Sequence, residues 1–128
     1  MAYSLKQKIW STNQKMSSLV TKADQELRKC KDRNQMMRID AKLKAETQNL
    51  QSTLNQLNCE MQAAQQQAGM LGQQRQVLAT QVDTYNVQIA AVEKAGGDAR
   101  RLKAERQQTK NTLKEVQRKY DLLIKKIG

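Results

Sequence analysis

The sequence predicts an all-α protein, an elongated coiled coil with one very long helix and an antiparallel C-terminal helical hairpin turning at Gly96-Gly97. Three observations carry this. The 128 residues contain no proline and only five glycines, whereas folds rich in strands and turns use both as punctuation. Phenylalanine is absent and aromatic residues make up 3% of the chain, too few for the bulky core of a compact domain. Apolar residues also recur at alternating steps of three and four over long stretches, the signature of helices that share one seam.

The first helix begins near residue 5. Ser4, with Gln7 three positions later, has the spacing of a capping box, in which each side chain accepts from the other's exposed amide. The seam then runs Leu5, Ile9, Thr12, Met16, Leu19, Ala23, Glu26, Cys30. A later seam, carried back through Leu50, reaches Leu43 and Met36, so the heptad phase shifts between Lys31 and Asp40. Two structures account for the shift. A stutter lets one helix run from about residue 5 to residue 95. Alternatively, Asp32-Arg33-Asn34 is a turn, and residues 5–30 fold back on residues 39–64. The absence of glycine and proline favours the continuous helix.

From Leu50 the seam is sustained through Leu54, Leu57, Met61, Ala64, Ala68, Leu71, Arg75, Leu78, Val82, Tyr85, Ile89 and Val92. Gly96-Gly97 ends this helix, because glycine adopts the left-handed conformation that closes a helix C-terminus. Asp98 is the expected cap of the return helix. A second seam follows through Ala99, Leu102, Arg106, Thr109, Leu113, Val116, Tyr120, Leu123 and Ile127. Zipped antiparallel around the glycines, the seams pair with position numbers summing to 194 or 195, which sets Arg75 against Tyr120 and Arg106 against Ile89. Gly69 and Gly72 mark a bend or a close approach. The expected division is a basic N-terminal arm, residues 1–45, and a hairpin, residues 46–128, with helix 46–95, turn 96–97 and helix 98–127.

The formal charge of +11 is unevenly spread. Residues 1–45 carry eleven Lys/Arg and four acids, net +7; residues 46–93 carry one Arg and four acids, net −3; residues 94–128 again carry eleven and four, net +7. The middle block is rich in amides, 16 of its 48 residues, which makes it the neutral ground on which a basic return helix lies. Such basic clusters attract acidic polymers with strong salt dependence. The candidate residues are Arg28, Lys29, Lys31, Arg33, Arg100, Arg101, Lys103, Arg118 and Lys119. No base-reading motif accompanies them, so a microtubule surface satisfies the same electrostatics as DNA or RNA.

No catalytic, cofactor-binding or metal-ligating residue is expected. The chain has no histidine, the usual general base and commonest metal ligand. Its two cysteines, Cys30 and Cys59, read as reduced thiols acting as small hydrophobes. No glycine-rich phosphate loop is present. Residues 1–23 carry four lysines and no acid, as organelle transit segments do, but no arginine precedes Arg28 and a partner-facing helix is the preferred reading.

On the continuous-helix reading, the stripe over residues 5–65 has no partner within the chain. An isolated amphipathic helix is marginally stable in water, so the stripe predicts association. The sequence therefore points to a non-enzymatic structural or assembly protein, cytoplasmic and without membrane insertion, with cytoskeletal and nuclear sites also compatible. Its partners are other copies of itself, other helical proteins, or an acidic polymer. The expected interface residues are Leu5, Ile9, Trp10, Met16, Leu19, Leu43, Leu50, Leu54, Leu57 and Met61. Trp10 is the residue singled out as an anchor, since tryptophan is over-represented at interface hot spots; the alternative is that it packs in the same seam as Ile9. The alternative function is a basic nucleic-acid- or microtubule-binding helical protein using the Lys/Arg clusters.

Overall fold

A computed structural model describes residues 3–128; the first two residues of the expected N-terminal arm lie outside them. The described chain is all-helical: α1 is Leu5–Lys29, α2 is Arg33–Lys94 and α3 is Arg100–Ile127. The chain forms two units. Unit 1 comprises residues 1–63 and 126–128, and unit 2 comprises residues 64–125.

In unit 1, α1 starts where the sequence predicts. The Gln7 amide donates to Ser4 Oγ at 3.2 Å, and the Ser4 amide donates to Gln7 Oε1 at 3.1 Å, completing the capping box. The expectation of one helix from residue 5 to 95 is corrected: α1 stops at Lys29 and α2 starts at Arg33. Cys30 takes an extended conformation, φ −72° and ψ 136°. Asp32 then caps α2. Its Oδ1 accepts from the Asn34 amide at 3.0 Å and its carbonyl accepts from the Met36 amide at 3.1 Å, the bonding of an N-cap residue. No glycine is needed, because the break uses extended rather than left-handed backbone. Among the described residues, positive φ occurs only at Gly96 and Gly128.

The break returns α1 along α2 in the antiparallel sense. Thr12 and Lys15 line one depression with Thr53 and Leu57; Leu19 lines the next with Glu46 and Leu50; Ala23 lines a third with Leu43. The premise that residues 5–65 lack a partner in their own chain is thereby corrected. Leu5 is 1% exposed, and Thr12, Ala23 and Leu57 are also buried. The buried Thr12 hydroxyl donates to the Lys8 carbonyl at 2.8 Å, so its polarity is satisfied within the helix. Ile127 is buried in the same unit.

The seam near the break also differs from expectation. Glu26 is exposed while Leu27 is half-buried, and Met36 and Met37 are exposed while Ile39 and Leu43 are half-buried. The heptad phase does not pass through Lys31–Asp40; it ends on one helix and restarts on the next.

In unit 2, α2 ends in a Schellman motif. Gly97 donates to the Val92 carbonyl at 2.9 Å and Gly96 to Glu93 at 3.0 Å, with Gly96 at φ 79°; these bonds satisfy carbonyls left open at the helix end. Asp98 caps α3 from one residue further out than expected: Ala99 is the residue before the helix, and Asp98 Oδ1 accepts from the Arg100 amide at 3.0 Å. Every predicted seam position from Ala64 to Val92 and from Ala99 to Leu123 is buried or half-buried. Across the two helices, Lys103 Nζ lies 2.7 Å from Glu93, Arg106 donates to Asn86 at 3.0 Å, and Arg75 donates to Gln117 at 3.2 Å.

The glycines separate into two kinds. A Cβ at Gly69 meets nothing within 4 Å, whereas Gly96 holds a left-handed conformation. Gly69→Ala should therefore stabilise the protein by about 0.5–1 kcal/mol through helix propensity and unfolded-state entropy. Gly96→Ala should destabilise it by about 1–2 kcal/mol, the cost of a Cβ in left-handed backbone. Urea unfolding followed by far-UV circular dichroism measures both.

Candidate interaction surface

The predicted interface residues fall into two groups. Leu5 and Leu57 are buried inside unit 1, and Ile9, Met16, Leu19, Leu43, Leu50, Leu54 and Met61 are half-buried. A layer of two helices covers such side chains from one side only. Trp10 stands apart at 65% exposed, as does Tyr3 at 69% just before α1. Both line the depression that opens between α1 and α2 beside Lys8, Lys15 and Leu57.

Apolar packing alone joins α1 to α2: among the described residues, no side-chain hydrogen bond or ion pair links these two helices. Unit 2 is different. There the Arg75 guanidinium carbon lies 4.6 Å from the Tyr120 ring centroid, a cation–π geometry. The predicted partnership of Arg75 with Tyr120 is present, whereas Arg106 reaches the exposed amide of Asn86. Unit 2 also carries an apolar depression that sequence reasoning missed, lined by exposed Met70 and Val77 with half-buried Leu78 and Val116. Met70 and Val77 stand seven residues apart, one step outside the seam. That spacing was the available signal.

All nine residues predicted to meet an acidic partner are exposed. Five of them are engaged by acids of their own chain: Arg28 with Asp24 at 3.1 Å, Arg100 with Asp98 at 2.9 Å, Arg101 with Glu105 at 3.3 Å, Lys103 with Glu93, and Arg118 with Glu115. Lys29, Lys31, Arg33 and Lys119 form no ion pair among the described residues. Exposed pairs of this kind contribute little to stability.

These contacts lower the pKa of two carboxylates. The Arg100 side-chain hydrogen bond, followed by the Arg100 amide, holds Asp98 below its ordinary value. The Arg118 hydrogen bond does the same for Glu115, and Glu115 in turn raises Arg118. Cys30 is half-buried at the break, and Cys59 is exposed rather than acting as a small core hydrophobe. Among the described residues, no three His, Cys, Asp or Glu side chains cluster as metal ligands, and no helix is long and apolar enough to cross a membrane.

No protein-family model matches the chain, and it matches no curated protein and no solved structure.

The lowered carboxylates predict a small pH dependence, because both pairs are exposed and screened by solvent. A carboxylate with a folded value below its unfolded one adds stability that is complete above the unfolded value and lost as pH falls through the folded one. Helicity should therefore hold steady above the ordinary values of 3.8 and 4.5 and decline on acidification below them. The Asp98→Asn/Glu115→Gln variant should show a shallower decline in a circular-dichroism pH titration.

Proposed function

We propose that the chain is a non-enzymatic structural or assembly protein, a coiled coil that associates with further helices along the incompletely covered side of its seam. The observation that carries this reading is the half-burial of Leu19, Leu43, Leu50, Leu54 and Met61 in a two-helix layer. Leucine and methionine side chains so placed gain further apolar burial when another helix completes the bundle. The exposed Met70–Val77 stretch of unit 2 offers a second surface of the same character. We read the α2–α3 portion as an antiparallel coiled-coil hairpin turning at Gly96-Gly97. The Schellman bonds at the glycines and the cross-helix contacts of Lys103, Arg106 and Arg75 support that reading.

The measurement is sedimentation with parallel thermal melts over a wide concentration range. Association predicts a mass above the 14.6 kDa of one chain and a Tm that rises with protein concentration. A single 14.6 kDa species with a concentration-independent Tm would remove the self-association arm of the reading.

A second reading rests on Lys29, Lys31 and Arg33, three cations around the α1–α2 break without ion-pair partners among the described residues. They suit an acidic polymer such as DNA, RNA or a filament surface. On this reading, affinity for a duplex falls steeply between about 50 and 200 mM salt. Lys29→Glu/Lys31→Glu/Arg33→Glu should lower that affinity and flatten the salt slope without loss of helicity. An unchanged slope contradicts it.

A further inference from the structure

We propose that the groove between α1 and α2 in unit 1 is a docking site for one acidic amphipathic helix contributed by a different protein. The inference rests on the assembly reading and specifies its site and partner. Three depressions on this flank run into one another: the first and second share Ser11 and Lys15, and the second and third share Leu19, Lys22 and Glu46. The floor carries Leu57, Leu50 and Leu43, each seven residues from the next, and the α1 lip carries Lys8, Lys15 and Lys22 at the same spacing. A heptad period on both floor and lip is what a third helix meets when it packs against two others. Lys8 to Lys22 spans about 21 Å at 1.5 Å per residue, room for two to three heptads of a partner.

The charge on the lips defines the partner. Lys8, Lys15 and Lys22 are exposed and form no ion pair among the described residues; the first acids on α1 are Asp24 and Glu26, and Glu26 lines the third depression with Lys22. On the α2 lip, Glu46 already lies 4.0 Å from Lys42, while Asn49 and Thr53 are neutral. The groove is thus an apolar floor with a basic α1 edge along its first two depressions. A helix that fits it carries leucine-like residues on its inner face and Asp or Glu at seven-residue spacing along the edge that meets α1, in the manner of flanking charges that choose coiled-coil partners.

A second copy of this chain does not match. Among its twelve acids, only Asp98 and Glu105 stand seven residues apart, so a copy offers no acidic edge long enough to meet Lys8, Lys15 and Lys22 together. A flat lipid surface cannot reach Leu50 between two helices, and the groove floor has leucines where a nucleic-acid platform has aromatic rings.

Trp10 is the only tryptophan and lines the open end of the groove, so its fluorescence reports occupancy. The probe is a synthetic three-heptad peptide with Leu at the two seam positions and Glu at the flanking ones, compared with a twin bearing Lys there. The Glu peptide should bind with a blue shift of Trp10 emission, and the Lys peptide should not. Lys8→Glu/Lys15→Glu/Lys22→Glu should lose about tenfold or more in affinity for the Glu peptide, the sum expected of three exposed pairs, and should gain affinity for the Lys peptide. If charge reversal lowers helicity, Lys8→Gln/Lys15→Gln/Lys22→Gln takes its place, with a smaller loss and no gain. Equal binding of the two peptides, or unchanged affinity in the variants, overturns the proposal. So does lysine-dependent binding of phosphatidylserine vesicles or poly(U) in the absence of Glu-peptide binding. Self-association in sedimentation without Glu-peptide binding overturns the groove assignment alone and leaves the assembly reading standing.

Discussion

The hydrogen bond from the Asn34 amide to the Asp32 carboxylate, 3.0 Å long, is the constraint on which unit 1 depends. A helix start leaves amides without partners, and a break inside an otherwise helical stretch is costly unless something answers them. Asp32 does so at the start of α2, while Cys30 closes α1 in extended backbone. With that break in place, Leu5, Ala23 and Leu57 are buried within one chain. Without it, the same side chains form an open stripe that only another molecule can cover. The break at Cys30–Asp32, closed by this cap, is where the N-terminal seam turns back to become an interior.

The two units solve the same packing problem with different means. In unit 1 the helices meet through apolar contact, and polar cross-links between α1 and α2 are absent among the described residues. In unit 2 polar contacts flank the seam: Arg75 reaches Gln117 and lies over Tyr120, Arg106 reaches Asn86, and Lys103 reaches Glu93. Arg75 occupies a half-buried position where an apolar residue would pack, and its guanidinium is met by the Tyr120 ring and the Gln117 side chain. Ala64, Ala68 and Ala99 are among the few fully buried residues there, so little apolar side-chain volume is buried. Much apolar surface is consequently half-covered, and that surplus is what the assembly reading draws on.

Legibility in the sequence followed the chemistry of punctuation. The turn at Gly96-Gly97 was legible because a Schellman motif needs left-handed backbone, and glycine announces it. The capping box at Ser4 and Gln7 was legible from its spacing. The break at Cys30–Asp32 was visible only as a phase shift and an Asp, because an extended linker demands no special residue. The expectation therefore erred toward continuity, and Glu26 was placed in the seam where Leu27 lies. Two of the ten predicted interface residues, Leu5 and Leu57, are interior, seven are half-buried and Trp10 is exposed. The lysines at 8, 15 and 22 were counted as charge, but only the return of α1 sets them along a leucine floor.

The central claim is that α1 folds back on α2 at Asp32, and one distance decides it. Gln14 and Asn49 line the same depression of unit 1, and spin labels placed there can be read by double electron–electron resonance, with Cys30 and Cys59 replaced by serine. Folding back predicts a narrow distribution below about 25 Å, two side-chain reaches across adjacent helices packed 8–10 Å apart. A distribution centred near 50 Å, about 1.5 Å for each intervening residue, would mean that one helix runs through Asp32, and would contradict the account.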